Sequence, residues 1–388
     1  DSNYECARID FAQTSLQITD VLEPILKRGQ IPVITGFIGS NKLGVTTTLG
    51  RGGSDYSASV IGEALRADEI WIWTDVDGIL TADPRLVGEA RTLESVSYRE
   101  AAEMSYFGAK VVHPKTMLPA MRKRIPIRIR STFNPSSLGT LITLTSPRLP
   151  QGVKTVTSIS NTALITIDGR GMSGIPGMAG RVFGTAESEG VNVMMISQAS
   201  SEQTISIVVD GVDAERLQTA MNSTFELEIA AGVIDPVQCR KNVAVISIIG
   251  QGMSGTPGIS GRLFQSFGKV GINVLAIAQG ASELSISAAV SQEQAVKAVR
   301  AAHTAFGLTR LMHLVLIGCG RVGESLLTML SQTNEIVGRE LDMQLKLTAV
   351  ASSTKYLFSN QGLDPLAAKQ ALATEGHERV SDAELIEL

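Results

Sequence analysis

"NTALITIDGRGMSGIPGMAGRVFGTAESEGVNVMMISQASSEQTISIVV" (Asn161–Val209) and "NVAVISIIGQGMSGTPGISGRLFQSFGKVGINVLAIAQGASELSISAAV" (Asn242–Val290) start 81 residues apart and decide how this chain is organised. Roughly half of their aligned positions are identical, which marks a duplication. Each copy reads strand, Gly/Pro-rich loop, helix, strand, strand, helix. Apolar side chains alternate in the opening strand. The loop GMSGxPG offers glycines for positive φ and a proline near a helix start. The first copy's helix is expected over Met178–Ser188, ending at Gly190, with β-rich runs around Val191–Gln198 and Thr204–Val209. A second helix, about Ala214–Phe225 and matched by about Glu293–Phe306, completes a βαββαβ order with helices on one face of a small sheet. Lys154–Ser160 reads as one more strand ahead of the repeats.

Residues 1–148 alternate strands and helices, the mark of a layered α/β domain. Strands are expected at Ile31–Phe37, Glu69–Trp73 and Pro126–Ser131, and helices at Ser57–Ala67, Tyr98–Tyr106 and Lys115–Arg122. Beyond the repeats, His313–Ile317, Val322–Leu330 and Leu345–Ala351 read as a βαβ unit, and Asp382–Ile386 as helix-like. The expected divisions are 1–148, 149–308 and 309–388.

The chain has 388 residues, 44% apolar and 19% charged, with a formal net charge of −4. That balance speaks against a nucleic-acid or polybasic membrane surface. The longest apolar runs are strand-length, so no membrane span is expected, and no signal peptide is visible. Cys6, Cys239 and Cys319 are scattered, which fits a reduced, cytoplasmic protein with no metal framework.

Three loops carry candidate chemistry. In Gly50–Asp55, "GRGGSD", glycines let backbone N–H groups converge on an anion at a helix start. Arg51 can meet a carboxylate with two parallel hydrogen bonds. The plainer alternative is a tight turn with Asp55 as N-cap. In Trp73–Arg85, "WTDVDGILTADPR", Thr74 and Asp75 sit at a strand's C-terminal edge, where open α/β sheets bind ligands; the alternative is a solvated double turn. In "SYFGAKVVHPKT", Lys110 lies between a glycine and two valines, and His113, before a proline, reads as structural.

Together the segments GFIG, TTTLGRGGSDYSA, WTDVDGILTADPR and FGAKVVHP, from Gly36 to Pro114, closely resemble aspartate kinase in order, spacing and residues. The resemblance implies part of an amino-acid kinase α/β/α sandwich that phosphorylates the side-chain carboxylate of L-aspartate with MgATP. It assigns Arg51 and Ser54 to aspartate, Asp55 to orienting the catalytic lysine, and Thr74, Asp75, Gly78, Arg85 and Lys110 to ATP. Leu80 stands where many relatives carry a tyrosine. The family's Lys-Phe/Tyr-Gly-Gly-Thr segment is absent from this sequence, so the chain alone is expected to lack kinase activity.

The duplicated unit resembles the ACT domain, a ferredoxin-like amino-acid-binding module that aspartate kinases carry in tandem and that commonly pairs across subunits. This implies a homo-oligomer, with Lys154–Ser160 as the leading strand of the second module. Asn192, Ile196 and Gln198 match Asn273, Ile277 and Gln279. These six are the candidate effector contacts, and resemblance to threonine-sensitive relatives implies that Gln198 and Gln279 touch the effector; the alternative is that ISQ and IAQ merely end strands. Physics alone does not separate threonine from lysine.

The third signal is "HLVLIGCGRVGESLLTML", a strand, Gly318-x-Gly320-x-x-Gly323, then a helix. Gly318, Gly320, Arg321, Val322 and Gly323 would bring a pyrophosphate onto the helix start. The next strand ends in Ser352-Ser353-Thr354-Lys355 rather than an acid, and Ser352, Ser353 and Lys355 suit the 2′-phosphate of NADP. A strand–turn–helix that binds nothing is the alternative. After a kinase and ACT repeats, this piece resembles the start of homoserine dehydrogenase, a truncated Rossmann unit. The succession resembles the bifunctional aspartokinase–homoserine dehydrogenase family, and that fusion favours threonine as effector. A monofunctional kinase with a C-terminal extension and a non-catalytic threonine-sensing ACT module are the competing readings.

Overall fold

In the computed structural model the described residues are 7–381 and 384, apart from 89, 109–111, 150, 173–174, 202, 309, 341–342 and 360–361. The chain divides into two compact units: residues 1–83 with 92–302, and residues 84–91 with 303–388.

In the first unit, α1 (Phe11–Lys27) is capped by Asp10, whose carboxylate accepts the Gln13 N–H at 3.1 Å. A short antiparallel hairpin follows, β1 (Ile38–Ser40) and β2 (Thr46–Thr48). Next come α2 (Gly53–Leu65), β3 (Ile70–Thr74), β4 (Ser95–Ser97), α3 (Tyr98–Tyr106), α4 (Pro114–Lys123), β5 (Ile127–Ser131) and β6 (Thr140–Thr143). The sheet order is β3-β5-β6-β4, with β3 parallel to β5, β4 parallel to β6, and β5 antiparallel to β6. Alternation sets its faces. Ile70, Ile72, Ile127 and Ile129 point into the core with Val96, Met104 and Ile142. Trp71 and Trp73 point outward, with the Arg130 guanidinium 4.6 and 4.9 Å from their ring centres.

The strand expected at Ile31–Phe37 is not formed. Ile31 and Val33 are 90% and 97% exposed, and the ladder starts only at Ile38. Apolar β-branched sequence is not sufficient for a strand; an adjacent backbone must take its hydrogen bonds.

The repeats build one six-stranded antiparallel sheet. Its elements are β7 (Thr155–Asp168), α5 (Met178–Ser188), β8 (Met195–Gln198), β9 (Thr204–Asp210), α6 (Ala214–Thr224), α7 (Glu226–Ala230), β10 (Gln238–Ile249), α8 (Ile259–Lys269), β11 (Val274–Gln279), β12 (Ser285–Ser291) and α9 (Ala295–Ala305). The order is β11-β12-β10-β7-β9-β8. The two copies interlock through their long strands. The second half of β10, Val245–Ile249, pairs with Thr155–Ile159, and its start, Gln238–Arg240, pairs with Leu164–Thr166. The expected leading strand is therefore the first half of β7 itself. Asn161 and Asn242, equivalent in the two copies, bend these strands with φ of 59° and 57°; asparagine tolerates this region better than most residues. A core of Ile165, Ile167, Val182, Ile207, Leu217 and Phe225 fills the first copy.

The second unit contains β13 (Arg310–Ile317), α10 (Arg321–Glu340), β14 (Met343–Ala351), β15 (Lys355–Phe358), α11 (Ala368–Glu375) and β16 (His377–Glu378). β13 and β14 are parallel, as the βαβ reading requires, while β15 turns back antiparallel on β14. α10 runs about ten residues past the expected Leu330. Most of Asp382–Ile386 lies outside the described residues.

Candidate functional sites

The GRGGSD turn closes on itself before α2. Gly50 and Gly52 take φ of 75° and 71°, and the Gly53 N–H donates to the Gly50 carbonyl at 3.0 Å. Side chains would strain both positions. Gly52, not Asp55, is the N-cap; Asp55 lies within the first turn, where an acid suits the helix dipole. Burial pushes its carboxyl above the ordinary range, opposed by Ser54, whose Oγ lies 3.4 Å from Asp55 Oδ1. Arg51 and Ser54 are exposed.

The structure brings two other motifs onto this turn. The Phe37 N–H donates to Ser57 Oγ at 3.0 Å, and Ser57 Oγ donates to the Gly53 carbonyl at 2.8 Å. The GFIG segment thereby packs on the start of α2. A Cβ on Gly52 would lie 3.3 Å from the His113 Cβ, so the HPKT segment is adjacent as well. His113 Nδ1 accepts the Lys115 N–H at 3.2 Å and caps α4, the structural role its sequence suggested. The Lys115 ammonium lies 5.3 Å from the Tyr56 ring centre, one residue beyond Asp55. Sequence reading missed this cation, although it stands two residues after His113. A cavity of about 510 Å³ opens beside the turn, lined by Gly36, Ser54, Ser57, Ile61 and Trp71 among others.

Thr74 and Asp75 lie where β3 ends, and Thr74 Oγ1 donates to Asp75 Oδ1 at 3.0 Å. The Thr74 carbonyl is held by Thr132 N and Oγ1 at 2.9 and 3.0 Å. Gly78 is buried, and the space beside it is taken by Thr92 and Thr140. Thr140 Oγ1 accepts the Ile79 N–H at 2.9 Å and donates to the Leu93 carbonyl at 2.6 Å. Arg85 is exposed and belongs to the second compact unit. Lys110 lies outside the described residues.

The duplicated motif ends two strands at equivalent places. Gln198 closes β8 and Gln279 closes β11, the two outermost strands of the sheet. Asn192, Ile196, Asn273 and Ile277 are exposed with them. A cavity of about 310 Å³ joins Gln279 to the GMSGTPG loop and the start of α8, lined also by Ser260, Glu283 and Ile286. Glu283 was not anticipated. Its Oε2 accepts the Gly255 N–H at 2.7 Å, drawing the loop toward β12. A signal existed: Glu202 and Glu283 occupy the same place in the two copies.

In the second unit, Gly318 has φ of 103°, and a Cβ on Gly323 would fall 2.1 Å from the Gly318 carbonyl oxygen. Only glycine permits this close helix–turn approach, and the helix starts at Arg321 with Val322 exposed. This geometry fits a pyrophosphate. Ser352 Oγ accepts the Lys355 N–H at 3.0 Å, and the Lys355 ammonium donates to the Ala373 carbonyl at 2.9 Å. Ser353 is exposed. Arg379 donates to the Ser352 carbonyl at 2.5 Å, adding a second cation at this turn that no local pattern announces.

Among the described residues there is no group of three or more His, Cys, Asp or Glu able to hold a metal, and no helix long and apolar enough to cross a membrane.

Comparison with known proteins places this geometry. The amino acid kinase family matches residues 3–131, and the ACT domain matches residues 165–225 and 246–306. The bifunctional aspartokinase/homoserine dehydrogenase 2, chloroplastic, of Arabidopsis thaliana is 40% identical over 359 residues, 91% of this chain and 39% of that protein. The chain thus spans about two-fifths of the length of such relatives. The crystal structure of E. coli aspartokinase III in complex with aspartate and ADP matches with a TM-score of 0.63 and 33% identity, covering 79% of this chain and 67% of that one. The same enzyme's complex with lysine and aspartate matches at 0.64 and 32%, covering 79% and 66%. The chain belongs to the aspartokinase family.

Proposed function

We propose that the protein containing this chain transfers the γ-phosphoryl of ATP to the side-chain carboxylate of L-aspartate. The observation that carries this reading is the convergence of GFIG, GRGGSD and HPKT on the first turn of α2, in a chain similar to an enzyme solved with aspartate and ADP. A carboxylate is already a nucleophile, so catalysis is positioning and charge neutralisation rather than proton abstraction. Arg51 is assigned the aspartate carboxylate, with Ser54 beside it. Asp55, held high by burial, orients the catalytic lysine. Thr74, Asp75, Gly78, Arg85 and Lys110 are assigned the nucleotide, and Mg²⁺ arrives with it as MgATP. The divisions 1–148, 149–308 and 309–388 are part of this proposal, as is the inactivity of the chain alone; aspartate-dependent ADP release by it would contradict that last point.

The ACT pair is assigned threonine sensing through Asn192, Ile196, Gln198, Asn273, Ile277 and Gln279, and assembly into a homo-oligomer. The 309–388 piece is assigned NADP binding through Gly318, Gly320, Arg321, Val322, Gly323, Ser352, Ser353 and Lys355, on behalf of homoserine dehydrogenase chemistry in the whole protein. A reducing compartment, cytoplasm or plastid, suits the free Cys239 and Cys319. Calorimetric titration of the protein with threonine, lysine and NADPH tests these assignments. Heat with threonine should vanish in Gln198→Ala and Gln279→Ala; unchanged affinity in both variants removes the sensor role.

A further inference from the structure

α3 precedes Lys110 in sequence, and its side chains reach both ACT copies. Its first turn carries Glu100, which is completely buried. Glu100 Oε2 accepts the Ser97 N–H at 2.8 Å, completing a capping box. The same oxygen accepts Ser146 Oγ at 2.7 Å and the Lys154 ammonium at 3.1 Å. Lys154, immediately before β7, spends its other donors on the Ser95 carbonyl and Ser146 Oγ, at 3.1 and 2.6 Å. The remaining carboxylate oxygen, Oε1, accepts the N–H of Gln251 at 2.8 Å. Gln251 opens the GQGMSG loop of the second ACT copy. One turn further along α3, Glu103 Oε2 accepts Ser285 Oγ of β12 at 2.9 Å. At the end of the helix the Tyr106 hydroxyl donates to the Met194 carbonyl of the first copy at 3.2 Å and bonds to the Asn192 side chain.

A nine-residue helix therefore touches the candidate effector elements of both copies. It then runs directly into Phe107 and Gly108, two residues short of Lys110. Gly108 is itself seated on β7: a Cβ there would lie 2.6 Å from the Ser158 carbonyl oxygen. The duplication sharpens the point. The residue equivalent to Gln251 in the first copy is Arg170, which is exposed. Among the described residues of the two sister loops, it is the second whose backbone is tied to a buried charge of the kinase part.

We propose that Glu100 is the positioning residue that couples the ACT pair to the Phe107–Gly108 end of α3, two residues before the candidate ATP contact Lys110 in sequence, through its bond from the Gln251 N–H. An effector that moves the GQGMSG loop changes this bond, and α3 answers with its C-terminal end. Coupling of this kind is reciprocal, so it is readable as a ratio of affinities. The proposal rests on the threonine-sensing reading above.

Gln251 permits a narrow test. It is the first residue of a 3₁₀ turn, and Gly250 before it is extended, with φ 172° and ψ 134°. Proline is well tolerated at such a position and lacks only the N–H. The threonine Kd of the full-length protein is measured by calorimetry with and without aspartate plus a non-hydrolysable ATP analogue. Wild type should give a ratio of about fivefold or more. Gln251→Pro should bring the ratio near one, whereas Gln251→Ala, which keeps the N–H, should retain it. A wild-type ratio preserved in Gln251→Pro overturns the coupling role. Absence of threonine heat from wild type instead overturns the sensor reading on which the proposal stands; lysine is the second titrant there. Tyr106→Phe is the independent arm, should the proline variant not fold. Losing the hydroxyl that bonds to the first copy should lower the ratio about threefold, and an unchanged ratio counts against α3 as the link.

Discussion

Replacing Lys154 with methionine keeps the apolar stem and removes one charge from a closed network. The ammonium is 2% exposed and its partner Glu100 is 0% exposed. All three ammonium donors have acceptors, so nothing in the network waits for water. Breaking one side of such a pair costs about 3–5 kcal/mol, because the surviving charge stays buried and uncompensated. Glu100 would keep the N–H groups of Ser97 and Gln251 and the Ser146 hydroxyl, which places the expected loss near the lower end, about 3 kcal/mol. Glu100→Gln together with Lys154→Met removes both charges and should recover at least half of that loss. The assay is urea unfolding followed by tryptophan fluorescence. The protein's two tryptophans, Trp71 and Trp73, both lie on β3 in the unit that holds the pair. The pH dependence has a definite sign. Burial raises the Glu100 carboxyl, but the Ser97 and Gln251 N–H groups, Lys154 and Ser146 together hold it below the ordinary glutamate value. Its contribution is therefore full above the unfolded value and is lost as pH falls through the depressed folded one. Removing Lys154 takes away one of the groups that lower the Glu100 carboxyl, so the deficit of Lys154→Met should grow from acid toward neutral pH. A loss under about 1 kcal/mol at pH 7, or a double variant as damaged as the sum of its parts, would refute the reasoning.

Three further outcomes are expected. Phe225→Ala empties the centre of the first ACT copy, where the ring is fully buried and Arg181 sits 4.5 Å from its centre; denaturant titration should show a loss of about 3–5 kcal/mol. Gly323→Ala forces a methyl toward the Gly318 carbonyl, costing about 1–3 kcal/mol locally; NADPH affinity, read by fluorescence in the full-length protein, should fall while threonine affinity holds. Tyr98 is buried with its hydroxyl donating to the Ile125 carbonyl, and burial pushes its phenol up to about 12; a spectrophotometric titration should show it un-ionised through pH 10.

Local chemistry was legible wherever one stretch of chain contained the whole signal. The helices that follow the duplicated loops and the glycine turn ahead of α10 both read correctly at short range. Interlocking of β7 with β10 was only half legible, since strand pairing is non-local and the repeat alone does not say which half of a long strand serves which copy. Ile31–Phe37 shows the opposite failure: a strand-like pattern without a neighbour to complete it. Lys154 was invisible as a core residue. A lysine before a strand ordinarily faces water, and its acceptors come from Ser95, Glu100 and Ser146. Arg379 beside Ser352 was hidden for the same reason, 27 residues away in sequence.

Arg51 is the residue on which aspartate binding depends. In the full-length protein, initial rates of aspartate phosphorylation should be compared for wild type and Arg51→Ala. A lost charged hydrogen bond to a carboxylate is worth about 1.5–3 kcal/mol, so the aspartate KM should rise about tenfold or more while the ATP KM moves by less than about twofold. Equal increases for both substrates, or none for aspartate, would contradict it.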